Sequence, residues 1–554
     1  MPSSSSSSLH DAFRPSVVLP LLDVPSFDAL SAVLREASGG GGDSFLACPI
    51  DLIDVNVVDL IDVGDHKNDV LSHPRDSRDE VIASLSMYAK DKSQFHEPPA
   101  HLPIFVVAPN TIQGVADVIR ACRKHQKTLG CVVVVRGAGT GVEGGAVPYQ
   151  KRAVVLSTRN LNEISICDAA DNAAVVGAGV LKNELNKYLK KYNVFFGPDP
   201  SSNPSIGGMI STSGSGMSTL RYGTTRENVL ALTVVTPAGD IIETRRPTRK
   251  NATGYNLTHL YIGGEGTLGV VCRAVVRVRP ILPIRCGGVL TFPTVALACQ
   301  TAVQVSQLAD TDLTAIVRCE MLNEEGVKCT NEVFGTTLDV VPTMFVELQG
   351  SDVSRVEEQW RTLVRIAKGS LKQTYAGDGD KLDELWDARR GCYIAASKYR
   401  KLVADKEGVP RAGPPIDNVL LTDVCVPLSE LADVVDATET DFKVANVPCV
   451  MCCHISDGNF HCCVPCNATG APREIGHVQE LEERLIERAL QRRGTVSGEH
   501  GVGIGKREFI VREHGDAHIG VQKSIKKAMD PTSLLNPGKV LFEENASNTS
   551  NSRL

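Results

Sequence analysis

Three glycine-rich runs, two of them adjoining an apolar stretch, constrain this chain more than any other feature. They are Gly137-Ala-Gly-Thr-Gly-Val-Glu-Gly-Gly145, Ser205-Ile-Gly-Gly-Met-Ile-Ser-Thr-Ser-Gly-Ser-Gly216 and Gly263-Gly-Glu-Gly-Thr-Leu-Gly-Val-Val271. The first follows the apolar segment Cys131 to Val135 and contains Gly139-x-Gly141-x-x-Gly144, the dinucleotide fingerprint. That fingerprint needs an amphipathic helix to begin inside the loop, whereas here Pro148 and another strand, Ala153 to Leu156, follow. The Rossmann reading therefore fails. No Gly-Lys-[Ser/Thr] is present either, which removes the phosphate loop of nucleotide hydrolases. What remains is a strand opening into consecutive backbone N–H groups with no side chains in the way. Such a nest can hold a pyrophosphate, and the plainer alternative is a tight turn. Three glycine clusters within one region of alternating strands and helices suit a large dinucleotide lying extended across the fold.

That region runs from about Leu102 to Pro280, with a helical stripe over Ile112 to Lys124 and a helix over Lys182 to Lys191. A second unit, about 281–470, reads as α+β, with strands at Gly287 to Phe292, Ala315 to Cys319 and Thr343 to Leu348. Residues 1–44 read as a weakly structured lead-in, and 401–418 as an exposed insertion rich in charge, proline and glycine. The 554 residues carry 58 Lys+Arg against 65 Asp+Glu, so there is no basic excess for a nucleic-acid partner. No apolar run reaches the roughly 18–20 residues that span a bilayer. Seventeen scattered cysteines, an odd number, read as reduced thiols rather than a disulfide framework. The terminal Ser552-Arg553-Leu554 differs from the peroxisomal Ser-Lys-Leu signal by one charge-preserving exchange, which predicts a peroxisomal import receptor as a partner.

The most specific constellation lies at 450–464. Two apolar strands flank Asp457-Gly458, a favoured two-residue hairpin turn. With those residues in the turn, His454 opposes His461 on one face, with Cβ atoms about 5 Å apart. Two imidazoles so placed can grip one metal ion. Cys449-x-x-Cys452 and Cys463-x-x-Cys466 offer a rival zinc knuckle; the bland reading makes them fillers of core strands. Past the helix Glu474 to Arg493 comes Ser497-Gly-Glu499-His500-Gly, where Glu499 is a candidate third ligand and His500 a candidate base. Arg389, in an apparently helical stretch, is either a solvated charge or a carboxylate clamp.

Taken together, these segments resemble the FAD-linked oxidases of the vanillyl-alcohol-oxidase type, and among them the flavin-dependent D-lactate dehydrogenases. The matching residues are Arg136 to Gly145, Asp199-Pro200, Ser205 to Tyr222, Gly254 to Leu260, Gly264 to Gly269, Thr422 to Pro427, Asp457 to His461, Ser497 to Gly501 and Leu535 to Lys539, all in family order. The resemblance implies an α+β fold: a two-subdomain FAD-binding domain of PCMH type plus an α+β cap domain with an antiparallel sheet. The implied division is a lead-in 1–74, the FAD domain 75–280, a cap bearing the substrate and metal site 281–500, a segment 501–542 returning to the FAD domain, and a tail 543–554 with the targeting signal.

By the same resemblance, the flavin contacts fall on Arg136, Gly137, Gly139, Thr140, Gly141, Gly144, Gly145, Asp199, Ser205, Gly208, Thr212, Ser213, Ser215, Gly216, Tyr222, Glu265, Gly266, Gly269, Val270, Val271 and Asn536. His454, His461 and Glu499 bind a divalent metal, zinc or manganese, and Arg389 holds the substrate carboxylate. His500 takes the hydroxyl proton while hydride passes to the flavin N5. Thr140 stands where some relatives carry a flavin-linking histidine, so non-covalent FAD is expected. Relatives acting on D-2-hydroxyglutarate carry a lysine and an asparagine where this chain has Leu421 and Cys463, which favours a short D-2-hydroxy acid such as D-lactate. D-2-hydroxyglutarate and glycolate dehydrogenase are the enzyme alternatives, and a zinc-binding structural protein is the non-enzymatic one. The acceptor is left open between oxygen, a quinone-like carrier and cytochrome c. A peroxisome or glycosome is the expected location, with the mitochondrion as the alternative.

Overall fold

The computed structural model describes residues 24–39, 45–47, 78–93, 102–150, 152–166, 169–398, 419–465 and 472–543. The serine-rich start, the 401–418 insertion, Cys466 and the terminal Ser552-Arg553-Leu554 lie outside these residues.

Val132–Arg136, Ala153–Ser157 and Phe105–Val107 form the parallel part of a sheet, to which Phe45–Ala47 adds antiparallel. These strands are apolar without alternation because the sheet is enclosed. The helix Ile112–Leu129, capped by the Thr111 hydroxyl, buries Val115, Val118 and Ile119 in this core. A second helix, Val24–Ala37, adds Phe27, Leu30 and Leu34, all fully buried. Over residues 24–39 the reading of 1–44 as a weakly structured lead-in is therefore corrected; the rest of that segment lies outside the described residues. The spacing of those three residues is an apolar helical stripe, and it packs as one.

A five-stranded antiparallel sheet follows, in the order Ile164–Ile166, Ala173–Gly177, Val270–Arg277, Val229–Val235, Ile241–Glu243. The second glycine run becomes the short helix Ile206–Thr212, capped by Ser205 Oγ on the Gly208 N–H (3.2 Å) and ended by Ser213 in the left-handed conformation. After the helix Phe509–Met529, the chain returns to the first core. Leu534 and Leu535 are buried there, and Val133 N–H donates to Leu534 O (2.8 Å).

Residues 284–465 build a larger antiparallel sheet. Its order runs Lys372–Ala376, Ile284–Thr291, Thr343–Gly350, Ile316–Leu322, Val450–His454, Asn459–Pro465, Val419–Leu421. Helices Val295–Leu308, Val353–Ile366 and Leu428–Val444 contribute to the core on one side. Helix Asp380–Arg390 covers the other side through Leu382 and Trp386. Arg318 ties this domain to the first by pairing with Asp199 (2.7 Å), while its other nitrogens meet Glu347 (2.9 Å) and Ser218 Oγ (3.0 Å).

Candidate active site

The hairpin Val450–His454/Asn459–Pro465 supplies the first two site residues, in a register that corrects the expectation. His454 opposes Asn459, and His461 opposes Cys452. The loop is thus the four residues 455–458, not Asp457-Gly458 alone. Tertiary contacts override the local turn preference: Ile455 is fully buried in the core, and Ser456 O accepts from Ser306 Oγ (2.7 Å). Lengthening the loop by two residues preserves strand parity, so both histidines still share a face. Their rings lie 5.3 Å apart at 89°.

Each ring is oriented from behind. His454 Nδ1 lies 2.9 Å from Glu320 Oε1, and His461 Nδ1 lies 3.0 Å from the Thr422 carbonyl. A carboxylate and a carbonyl only accept, so both Nδ1 atoms carry a proton and both Nε2 atoms face forward. They converge at 3.2 Å each on Glu499 Oε1. Burial pushes the His454 pKa down, yet Glu320 and Glu499 together hold it well above the usual value. Glu499 is held well below the carboxylate range because the two imidazoles outweigh its burial. Protonated His454 directs its Nε2–H at Glu499 here; a bound cation would take the place of that proton and meet three donor atoms. This donor set fits a divalent metal, and two imidazoles with one carboxylate suit zinc and manganese alike.

His500 lies beside this cluster, its ring stacked on His461 at 4.6 Å and 12°. Its Nδ1 is buried with no hydrogen-bond partner and sits 3.8 Å from Asp423 Oδ2. Burial, with His461 and Lys506 nearby, brings its pKa down to about 4 against the opposing pull of Asp423. His500 is neutral at pH 7 and can accept a proton.

Arg389 requires a correction. It is 1% exposed; Glu320, whose other oxygen holds His454, takes its Nη2, Cys452 Sγ lies 2.7 Å from its Nη1, and its Nε is buried with no partner. A carboxylate clamp must present its fork to the ligand; this one is committed to a buried carboxylate behind the metal-type cluster. The knuckle reading fares no better. Cys449, Cys452 and Cys463 are buried in or beside the strands, and among the described residues the clusters able to hold a metal contain no cysteine.

The glycine runs form a seam between the two sheets of the first domain. A Cβ on Gly137 would run into Ser205 Oγ, and one on Gly216, where φ is 125°, would meet the Asp199 backbone. A Cβ on Gly141 or Gly145 would be in ordinary contact with a carboxylate, Asp91 at 3.8 Å and Glu265 at 3.6 Å. Arg136 Nη1 is a buried donor without a partner at the start of this loop, a feature suited to an anionic ligand. The chain thus fits a phosphate-bearing dinucleotide here, and Thr140 offers no nitrogen for a covalent link.

Several expected cofactor contacts use their side chains otherwise. Glu265 accepts from Val502 and Gly503 N–H (2.7 and 2.8 Å), and Asn536 bridges Val135 N–H and Glu265 O. Asp199 lies in ion pairs with Lys182, Arg318 and Arg390, and Tyr222 packs edge-on against Phe195. Ser215 reaches across the domain boundary to Glu499 Oε2 (2.7 Å). These residues shape the seam rather than offering polar ends to a ligand. Sequence reasoning assigned no role to Glu320 or Asp423. Their signal was present: each is a lone acid in an apolar strand or at its edge, Cys319-Glu-Met321 and Leu421-Thr-Asp-Val424.

Residues 103–245 match the FAD binding domain family, and residues 285–540 match the C-terminal domain of FAD linked oxidases. A probable mitochondrial D-lactate dehydrogenase of Danio rerio is 35% identical over 79% of this chain and 84% of its own length. The chain belongs to the FAD-linked oxidases. A mitochondrial D-lactate dehydrogenase [cytochrome] of Arabidopsis thaliana is 31% identical, covering 82% of this chain and 76% of that one. The fold of this FAD-linked oxidase is also that of p-cresol methylhydroxylase, with a TM-score of 0.71 at 15% identity over 96% of this chain and 100% of the other. The fold is α+β, with a PCMH-type FAD-binding domain beside an antiparallel cap. Both relatives are mitochondrial by name, so the peroxisomal expectation and its import receptor gain no support from them.

Proposed function

We propose that this FAD-linked oxidase oxidises D-lactate, or a similarly short D-2-hydroxy acid, to the 2-oxo acid. The observation that carries the reading is the convergence of His454 Nε2, His461 Nε2 and Glu499 Oε1 beside the neutral, half-buried His500. The names of the most similar relatives support the substrate class.

FAD, held without a covalent bond along the 137–145 and 205–216 runs, supplies the two-electron acceptor for the hydroxyl-bearing carbon. A divalent metal on His454, His461 and Glu499 supplies a Lewis acid that eases ionisation of the substrate hydroxyl. His500 takes that proton; its Nδ1 faces Asp423, so the exposure that the ring retains lies on the opposite edge, towards the site. Glu320 and the Thr422 carbonyl keep the two ligand rings from turning, and Ser215 fixes the second oxygen of Glu499. Electrons leave the flavin for a one-electron carrier, a reading supported by the cytochrome named for the Arabidopsis relative.

A second substrate carboxylate is disfavoured. Leu421 and Cys463 are direct neighbours across two strands and lie in an apolar cluster. Burying an unpaired carboxylate against them is unfavourable. The test is turnover of D- and L-lactate, glycolate and D-2-hydroxyglutarate with a dye acceptor, before and after removal of metal by a chelator. D-lactate should give the highest kcat/KM and lose it with the metal. Preference for glycolate or D-2-hydroxyglutarate would overturn the assignment.

A further inference from the structure

Behind the candidate ligands stands one carboxylate with no role assigned so far. Asp423 is 1% exposed and sits just beyond the strand Val419–Leu421. Its Oδ2 accepts from the backbone N–H of both Glu499 (3.0 Å) and His500 (2.8 Å), from Ser497 Oγ (2.9 Å) and from Lys506 Nζ (3.4 Å). Its Oδ1 accepts from Asn459 Nδ2 (2.8 Å) and lies 3.7 Å from His461 Nδ1. His500 Nδ1 faces Oδ2 from 3.8 Å.

Two properties separate this arrangement from an ordinary buried acid. The groups that hydrogen-bond to it all donate, so an amide in place of the carboxylate sets its N–H against a donor: Lys506 and two backbone N–H groups at Oδ2, or at Oδ1 the Asn459 amide, which the Val424 carbonyl also holds in place. These donors come from both parts of the site: the hairpin through Asn459, and the loop through Ser497, Glu499 and His500. Among the described residues Asp423 is the anchor of the Glu499 backbone N–H, and the Glu499 side chain must reach both imidazoles at once.

We propose that Asp423 is the positioning residue of the site: it sets the Glu499–His500 segment against the hairpin so that ligand and base occupy their places together. The inference rests on the metal-site reading above, and it needs no contact between Asp423 and metal or substrate.

The test is titration of the metal-free, flavin-loaded protein with Co2+, followed by its visible d–d bands. Asp423→Asn should bind Co2+ about 10- to 100-fold more weakly, the usual effect of losing an outer partner of a ligand set. Its band envelope should change, its flavin content should not, and kcat for D-lactate should fall more than KM rises. Amide hydrogen exchange of 497–501 should accelerate without metal present. Should Asp423→Asn fail to fold, Ser497→Ala removes a single donor and should weaken Co2+ several-fold. A variant with wild-type Co2+ affinity, spectrum and exchange would overturn the role of Asp423. A wild-type protein that binds no Co2+ would instead overturn the metal-site reading on which it rests.

Discussion

Replacing Arg389 by methionine separates the buried role that the structure assigns to this residue from the substrate clamp that its sequence suggests. The guanidinium is 1% exposed and Glu320 fully buried, so the substitution strands a carboxylate that keeps only His454 as a partner. Removing one member of a buried pair destabilises by about 3–5 kcal/mol; the surviving His454 bond places this case near 3. Changing Glu320 to glutamine as well removes the stranded charge, and the double variant should regain at least half of the loss. Urea unfolding followed by far-ultraviolet circular dichroism reads both values. A clamp predicts the reverse: loss of a charge-assisted pair to the ligand, about 1.5–3 kcal/mol, raises KM for D-lactate about 10- to 100-fold and leaves stability alone. Wild-type stability with a KM increase of that size would refute the buried-pair reasoning.

Three further outcomes follow from the same geometry. His461→Ala should lose bound metal and turnover yet keep the flavin absorbance, measured by metal analysis and visible spectrum, because His461 sits on the hairpin of the second domain. Leu421→Lys combined with Cys463→Asn should raise turnover of D-2-hydroxyglutarate relative to D-lactate, since the two positions adjoin across the sheet. Asp199 concerns acid stability. Burial raises its pKa, but Arg318, Lys182 and Arg390 more than reverse this and bring it from 3.8 to about 2. That difference is worth about 2 kcal/mol, present above the ordinary value and lost as pH falls from about 4 to about 2. The stability difference between wild type and Asp199→Asn should therefore shrink over that interval in acid titrations of unfolding; a difference independent of pH would contradict the ion-pair assignment.

The legible parts of the sequence were those where backbone chemistry alone sets the outcome. Glycine-rich runs announced close loop approach, and strand parity put His454 and His461 on one face despite a loop two residues longer than the turn preference implied. Glu499 and His500 were readable because glycines on either side free the backbone to bring them in. Arg389 was misread because composition cannot distinguish a helix arginine facing a ligand from one facing a buried carboxylate. The helix Val24–Ala37 was hidden by the serine- and glycine-rich segments around it, although Phe27, Leu30 and Leu34 carry the apolar stripe. Glu320 and Asp423 were passed over because their partners lie more than 30 residues away along the chain.

The central claim is tested most directly by mixing the purified, flavin-loaded protein with D-lactate in the absence of oxygen while the visible flavin band is recorded. Rapid bleaching by D-lactate and none by L-lactate is the predicted result. A yellow protein whose band persists with D-lactate would contradict the assigned reaction.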